Sequence, residues 1–318
     1  MFYSISHVTR YRYDAPVRES VMQLYMQPKS EGPQRLQSFQ VSTTPRANLQ
    51  AYTDHFGNAV YHFDVPGTHQ ELLVEAEAQV ELTPVPAPPQ WVDASAWETL
   101  EKIRTKGDHF DMLEPHGVAK MTPALLKFLA EKSLERTSDP MTTMRRLNRW
   151  LFESFDYAPE ETEVDSPIDV ALDKRKGVCQ DFAHIMLATA RHWGVPARYV
   201  SGYLFTKRDA GDRSAADATH AWVEAFIPGA GWIGFDPTNN VLTGERHIRV
   251  AIGRDYDDVP PSRGIFKGPA NSELAVAVSV TPSQTPRRRD DFLRVVRTTP
   301  KVHVRLTPGS LSALQQQQ

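Results

Sequence analysis

Through the first eighty residues apolar and polar side chains alternate in short runs, as in Ser38-Phe39-Gln40-Val41, Val60-Tyr61-His62-Phe63 and the stretch from Leu72 to Leu82. A two-residue period puts every second side chain on one face of an extended chain, so several antiparallel strands are expected here. Asp54-His55-Phe56-Gly57-Asn58 reads as the turn between two of them, because Gly57 and Asn58 both tolerate positive φ. The pattern predicts a small β-sandwich over residues 1–82. Pro84, Pro86, Pro88 and Pro89 then crowd a few positions, a density that resists both helix and central strand. Residues 83–93 are therefore expected to be a stiff linker and a domain boundary.

Beyond the prolines the period lengthens. Thr122-Pro123 and Asp139-Pro140 each set a capping residue before proline at a first helical position, and Met141, Met144, Leu147, Leu151 and Phe155 recur at helical spacing. Residues 94–193 are predicted to be mostly helical. A helix opening at Cys179 is expected to close at Gly194, where Val195-Pro196 follows. Strand patterns then take over at roughly 197–205, 219–227, 231–236, 247–252 and 273–280, with Gly229-Ala230-Gly231 as a hairpin turn. Helices followed by sheet make residues 94–280 an α+β unit. Residues 281–318 read as a partly flexible extension: Arg287-Arg288-Arg289 beside Asp290 and Asp291 suits a solvated connector, and Val302 to Leu306 suits an edge strand.

Composition narrows the function. Thirty-six basic against thirty-nine acidic side chains leave a formal charge of −3, which supplies no field for gripping nucleic acid or anionic lipid. No apolar run is long enough to span a bilayer, and Met1 to Tyr13 resembles an aromatic strand rather than a signal segment. One cysteine in 318 residues forbids an intramolecular disulfide, and a cytoplasmic location is expected. No cofactor or metal is expected either. Gly229, Gly231 and Gly234 have the spacing of a dinucleotide loop but precede strand-like sequence. Asp255, Asp257 and Asp258 suggest a calcium loop, yet Pro260 and Phe266 stand where glycine and glutamate are needed.

The single cysteine carries the chemistry. A thiolate attacks acyl carbon far better than a thiol, and Cys179 at a helix amino terminus faces unpaired N–H groups that favour negative charge. Those N–H groups also suit a developing oxyanion. A histidine must take the thiol proton, and a carboxylate should orient it. His220 and Asp236 follow in that order on adjacent strand patterns, and the Gly229 to Gly231 hairpin would make them neighbours. Taken singly, the three would pass as a buried small side chain, a strand histidine and a turn former. Their order is what points to thiol catalysis. Tyr203, Trp222 and Trp232 are candidates to line an apolar cleft.

The runs Gly177-Val178-Cys179-Gln180-Asp181-Phe182-Ala183-His184, Ala197 to Tyr203, His220-Ala221-Trp222 and Phe235-Asp236-Pro237-Thr238-Asn239 resemble the transglutaminase-like superfamily, whose core has a papain-like fold. The similarity is greatest to its bacterial and archaeal branch with a β-rich amino-terminal domain, and it spans about residues 1–280. It implies Cys179 as nucleophile, His220 as general base and acid, and Asp236 as orienting group. His247 to Ala251 and Gly253 to Val259 look like further signatures, and His184 is a candidate for supporting the site. Papain-like enzymes commonly place a side-chain oxyanion donor upstream of the cysteine, but Asp173 to Lys176 supply no amide or indole. Gln180 and Tyr157 are the side chains left for that role, with the Cys179 N–H as the main-chain donor.

Three functions fit. The first is a cysteine peptidase or amidase that passes a thioester to water, with a peptide or protein as substrate. The second is transfer of the same acyl group to an amine, and the third is a binding module that has lost catalysis. The intact set of Cys179, His220 and Asp236 speaks against the third, and hydrolysis is the expected outcome of the other two.

Overall fold

The computed structural model describes residues 1–207 and 211–283. The expected extension after Ser283, with Arg287 to Arg289 and Val302 to Leu306, lies outside the described residues. The chain begins with strands β1 (Phe2–Leu24), β2 (Gln34–Thr44), β3 (Gln50–Thr53) and β4 (Ala59–Leu82). Helices α1 (Ala96–Lys106), α2 (Pro123–Glu131) and α3 (Pro140–Ser154) come next. They lead into β5 (Asp156–Tyr157), α4 (Ile168–Lys174), β6 (Lys176–Gly177) and α5 (Cys179–His192). Strands β7 (Ala197–Leu204), β8 (His220–Ile227), β9 (Gly231–Asp236), β10 (Val241–Leu242) and β11 (His247–Gly253) follow. The last two described elements are β12 (Ser262–Phe266) and β13 (Ser272–Ser283). The fold is α+β. Among the described residues no helix is long and apolar enough to cross a membrane.

The helix starts follow from local chemistry. Thr122 Oγ1 accepts the Leu125 N–H at 3.1 Å and Asp139 Oδ1 accepts the Thr142 N–H at 3.0 Å, with Pro123 and Pro140 opening the two helices. Helix α5 stops at Gly194, whose φ of +76° is the left-handed conformation that glycine adopts without strain. Its apolar residues, among them Phe182, Ile185, Met186 and Ala190, share one core with Ala221, Val223 and Ala225 of β8. Five antiparallel strands in the order β10-β9-β8-β7-β11 form the sheet behind it.

The amino-terminal region is β-rich as expected, and Tyr11, Val17, Leu24, Phe63 and Val74 from both halves of β1 and β4 share a core of their own. Residues 1–82 contribute β1 to β4 to one six-stranded sheet that β12 and β13 complete. Strand β1 pairs with β4 along one edge, and along the other with β13 from Phe2↔Ser283 to Tyr13↔Ser272 and with β12 from Ser20↔Phe266 to Leu24↔Ser262. A strand with one side unpaired would leave a row of N–H and C=O groups without partners, and the returning chain supplies them. The strand expected at 273–280 thus belongs to the amino-terminal sheet rather than to the catalytic one.

Strands β1 and β4 are also longer than their turn signals suggest. Pro16 and the pair Pro66-Gly67 interrupt the sequence pattern, but they sit where the β1–β4 register shifts between Arg12 and Val17 and again between Arg18 and Ser20. A bulge lets a strand bend without ending, and proline is tolerated there.

The two sheets are joined along β11. Gln34 accepts the Arg249 N–H at 2.8 Å and donates to the Arg249 carbonyl at 2.7 Å. The Lys29 N–H adds a bond to the same carbonyl at 3.0 Å. Asn58 does likewise at Ile252, accepting at 2.9 Å and donating at 2.8 Å. The outer edge of β11 is therefore closed by side-chain amides from the amino-terminal sheet.

Candidate active site

The site is built around the start of α5. Val178 is extended, with φ −110° and ψ 179°, and the helix turns at Cys179. Asp181 reaches back so that its Oδ2 accepts the Val178 N–H at 2.8 Å and the Thr162 hydroxyl at 2.6 Å. Glycine is required at 177, since a Cβ there would stand 2.7 Å from that same Oδ2. Cys179 is consequently the first helical residue, 8% exposed, where first-turn N–H groups lack intrahelical acceptors.

Strand β5 pairs with β6 through Tyr157↔Gly177, which sets Tyr157 beside the cysteine turn. The Tyr157 hydroxyl lies near the Ala215 main chain. Its pKa is raised, by burial first and by the nearby Cys179 charge second.

His220 opens β8 and Asp236 ends β9, and the hairpin between these strands is in register from Ile227↔Gly231 to Val223↔Phe235. The His220 Nε2–H donates to Asp236 Oδ2 at 2.8 Å with both side chains buried. Its other nitrogen, Nδ1, faces Ser214 Oγ at 3.3 Å, and the ring is within hydrogen-bonding reach of the Cys179 thiol. Burial opposes a charge on His220, but the charge and hydrogen bond of Asp236, helped by Cys179, outweigh it and raise the imidazolium pKa to about 10.

Asp236 is fully buried and still anionic because donors surround it. Oδ1 accepts the N–H groups of Thr238 at 3.0 Å and Asn239 at 3.2 Å. Oδ2 accepts His220, Asn239 Nδ2 at 2.8 Å and His247 Nε2 at 3.1 Å. Burial pushes its carboxyl pKa up, yet His220 first and His247 after it hold the group far below the usual carboxylate range. Asn239 also donates to Ser214 Oγ at 2.9 Å, so Ser214, His220, Asp236 and Asn239 form a closed ring of hydrogen bonds.

The sequence profile of the transglutaminase-like superfamily matches residues 127–237, and that of the bacterial transglutaminase-like N-terminal region matches residues 3–81. An uncharacterised protein of Mycobacterium leprae is 34% identical over 279 residues, covering 87% of this chain and 97% of its own. The chain belongs to the transglutaminase-like superfamily. A protein-glutamine gamma-glutamyltransferase of Pseudomonas aeruginosa is 34% identical over 151 residues, 44% of this chain and 23% of that protein. The crystal structure of a Cytophaga hutchinsonii protein, provisionally assigned as a cysteine protease, superposes with a TM-score of 0.68 over 90% of this chain and 92% of that one. Their sequence identity is 20%, so the likeness speaks for the fold.

The remaining candidate residues of this superfamily member make the following contacts. Gln180 is buried with its amide nitrogen donating to the Val164 carbonyl at 2.7 Å, which commits it to holding the neighbouring segment. His184 accepts the Tyr256 N–H at 3.2 Å, and burial lowers its pKa to about 3, so it is a neutral brace. Tyr203, 2% exposed, bonds His7 Nδ1 at 2.9 Å and joins the two sheets rather than lining a cleft. Trp222 is 1% exposed and packs edge-on against His247 with ring centres 5.3 Å apart. Its ring lies over Gly202, where a Cβ would meet it at 2.5 Å. Trp232 stacks with Arg198 and Phe226 at the opposite end of β9 from Asp236.

Ser214, Asn239 and the contact of His247 with Asp236 had no assigned role in the sequence reading. Asn239 ends the Phe235 to Asn239 run and could have been found there, whereas Ser214 lies in a connecting segment with no periodic signal. The ligand atoms of His220, Asp236 and His247 lie within 4.8 Å of one another, as do those of His116, Asp255 and Asp258. Hydrogen bonding accounts for the first group. In the second, His116 Nδ1 contacts Asp255 at 2.8 Å and Asp258 is held by Arg254 at 2.8 and 2.9 Å.

Proposed function

We propose that this protein opens amide bonds through a thioester on Cys179. The sulfur, its proton already held on the His220 imidazolium, attacks the carbonyl carbon of a peptide or isopeptide. The tetrahedral oxyanion is met by the Cys179 N–H and by the hydroxyl of Tyr157, which lies beside the cysteine turn. Collapse breaks the C–N bond, His220 returns the proton to the departing amine, and a thioester remains. Water, deprotonated by His220, then releases the acid and regenerates the thiol. The supporting observation is the buried His220–Asp236 bond of 2.8 Å with Cys179 in reach of the same ring.

Hydrolysis is the default outcome, because water reaches any thioester that solvent reaches and amine transfer needs a further subsite. The Pseudomonas aeruginosa relative favours transfer as the second reading. Casein and fluorogenic peptides, assayed with and without a labelled primary amine, separate the two. Free acid that accumulates regardless of amine supports hydrolysis, and label incorporated into protein supports transfer. Equal turnover by Cys179→Ala and the unmodified protein would remove both.

A further inference from the structure

His247 opens β11 and is buried, and its Nε2 points at the oxygen of Asp236 that also serves His220. The Gly244 N–H faces its Nδ1 at 3.4 Å, which leaves the proton on Nε2 and makes that nitrogen the donor. Trp222 packs against the ring, and the outer edge of β11 is tied to the amino-terminal sheet through Gln34 and Asn58. The donor is thus fixed in place. One carboxylate oxygen therefore receives three N–H groups, from His220, His247 and Asn239, while main-chain N–H groups hold the other oxygen.

We propose that His247 is a positioning residue that shares Asp236 Oδ2 with His220 and so limits how strongly the carboxylate holds the imidazolium. Each donor on a carboxylate oxygen draws on the same charge, so a second donor weakens the grip on the first. An imidazolium held too tightly is a strong base but a poor acid, and the leaving amine needs the acid. The inference rests on the thioester reading for its kinetic consequence, but not for the electrostatic one.

The charged groups around the pair are few. Cys179 on α5 and Asp236 on β9 face His220, and Tyr157 on β5 lies beside Cys179. Arg246, just before β11, stands near His247 and is itself paired with Asp212 at 2.5 Å. Burial, aided by the positive His220 and Arg246, keeps His247 neutral against the pull of Asp236, so His247 acts as a dipole and not as a second cation.

The test is a titration of His220 by nitrogen-15 histidine NMR in the full chain, assigned with His220→Gln, together with the alkaline limb of kcat/KM. His247→Phe removes the donor. The His220 titration should move up by about half to one pH unit, and kcat should fall about 3- to 10-fold with KM nearly unchanged. His247→Gln, which restores an N–H donor, should bring both back. His247→Asn falls short of Oδ2 and should behave as the phenylalanine variant even if that one folds poorly. An unchanged or lowered His220 titration in the donor-free variants, or a glutamine variant no better than phenylalanine, overturns the proposal. Loss of the thioester reading alone would leave the NMR shift in place.

Discussion

Asn58, in the turn before β4, treats the main chain of Ile252 as a neighbouring strand would, accepting its N–H at 2.9 Å and donating to its carbonyl at 2.8 Å. Lys29 Nζ steadies the same turn through the Gly57 carbonyl at 2.8 Å. Because β11 also carries His247, the amino-terminal sheet reaches the site through one strand.

Asn58→Ala should therefore cost more than an ordinary surface change. Two buried main-chain groups of Ile252 lose their partners, a penalty of about 2–4 kcal/mol in unfolding free energy. The urea midpoint measures it, and a change within error would show that β11 does not depend on this contact.

Stability should peak near neutral pH. His220 gains a partner and its pKa rises from 6.5 to about 10, so its contribution is complete below 6.5 and is lost as pH climbs through 10. His7, His69 and His184 shift the other way, to about 4, 4 and 3, through burial. The unfolded chain binds those protons more readily, so stability falls as pH drops below 6.5. Thermal midpoints across pH should trace this bell, and His220→Gln should flatten its alkaline side only.

Gly177→Ala should impair turnover more than folding. The added Cβ meets the Asp181 carboxylate at 2.7 Å and must displace the group that caps the turn into Cys179. A loss of about 10-fold or more in kcat/KM is expected, since small misplacements of a nucleophile are costly. An unaltered kcat/KM would mean that the turn tolerates the shift.

The catalytic half of the fold was largely legible in sequence. Thr122 and Asp139 announced helix starts, Gly194 a helix end, and Gly229 to Gly231 a hairpin, because each acts through its own backbone. The return of β12 and β13 to β1 was hidden, since strand pairing across most of the chain leaves no local signal. That Cys179, His220 and Asp236 lie together could be read from their order and spacing. The burial of Tyr203 and Trp222 away from a cleft could not, because residue type does not say which way a side chain faces.

Asp236→Asn tests the orienting role. It keeps the shape but removes the charge that holds His220 protonated, and an amide can donate where only an acceptor fits. A fall of about 10²- to 10⁴-fold in kcat is expected, by analogy with triads in which the carboxylate is neutralised. Activity near that of the unmodified protein would assign Asp236 to folding alone.

The most direct test of the central claim is the rate at which iodoacetamide alkylates Cys179 at pH 7, in the unmodified protein and in His220→Ala. With the positive His220 ring beside Cys179 to favour the thiolate, the unmodified protein should react about 10- to 100-fold faster. Equal rates would contradict the pairing of Cys179 with His220 and, with it, the enzyme.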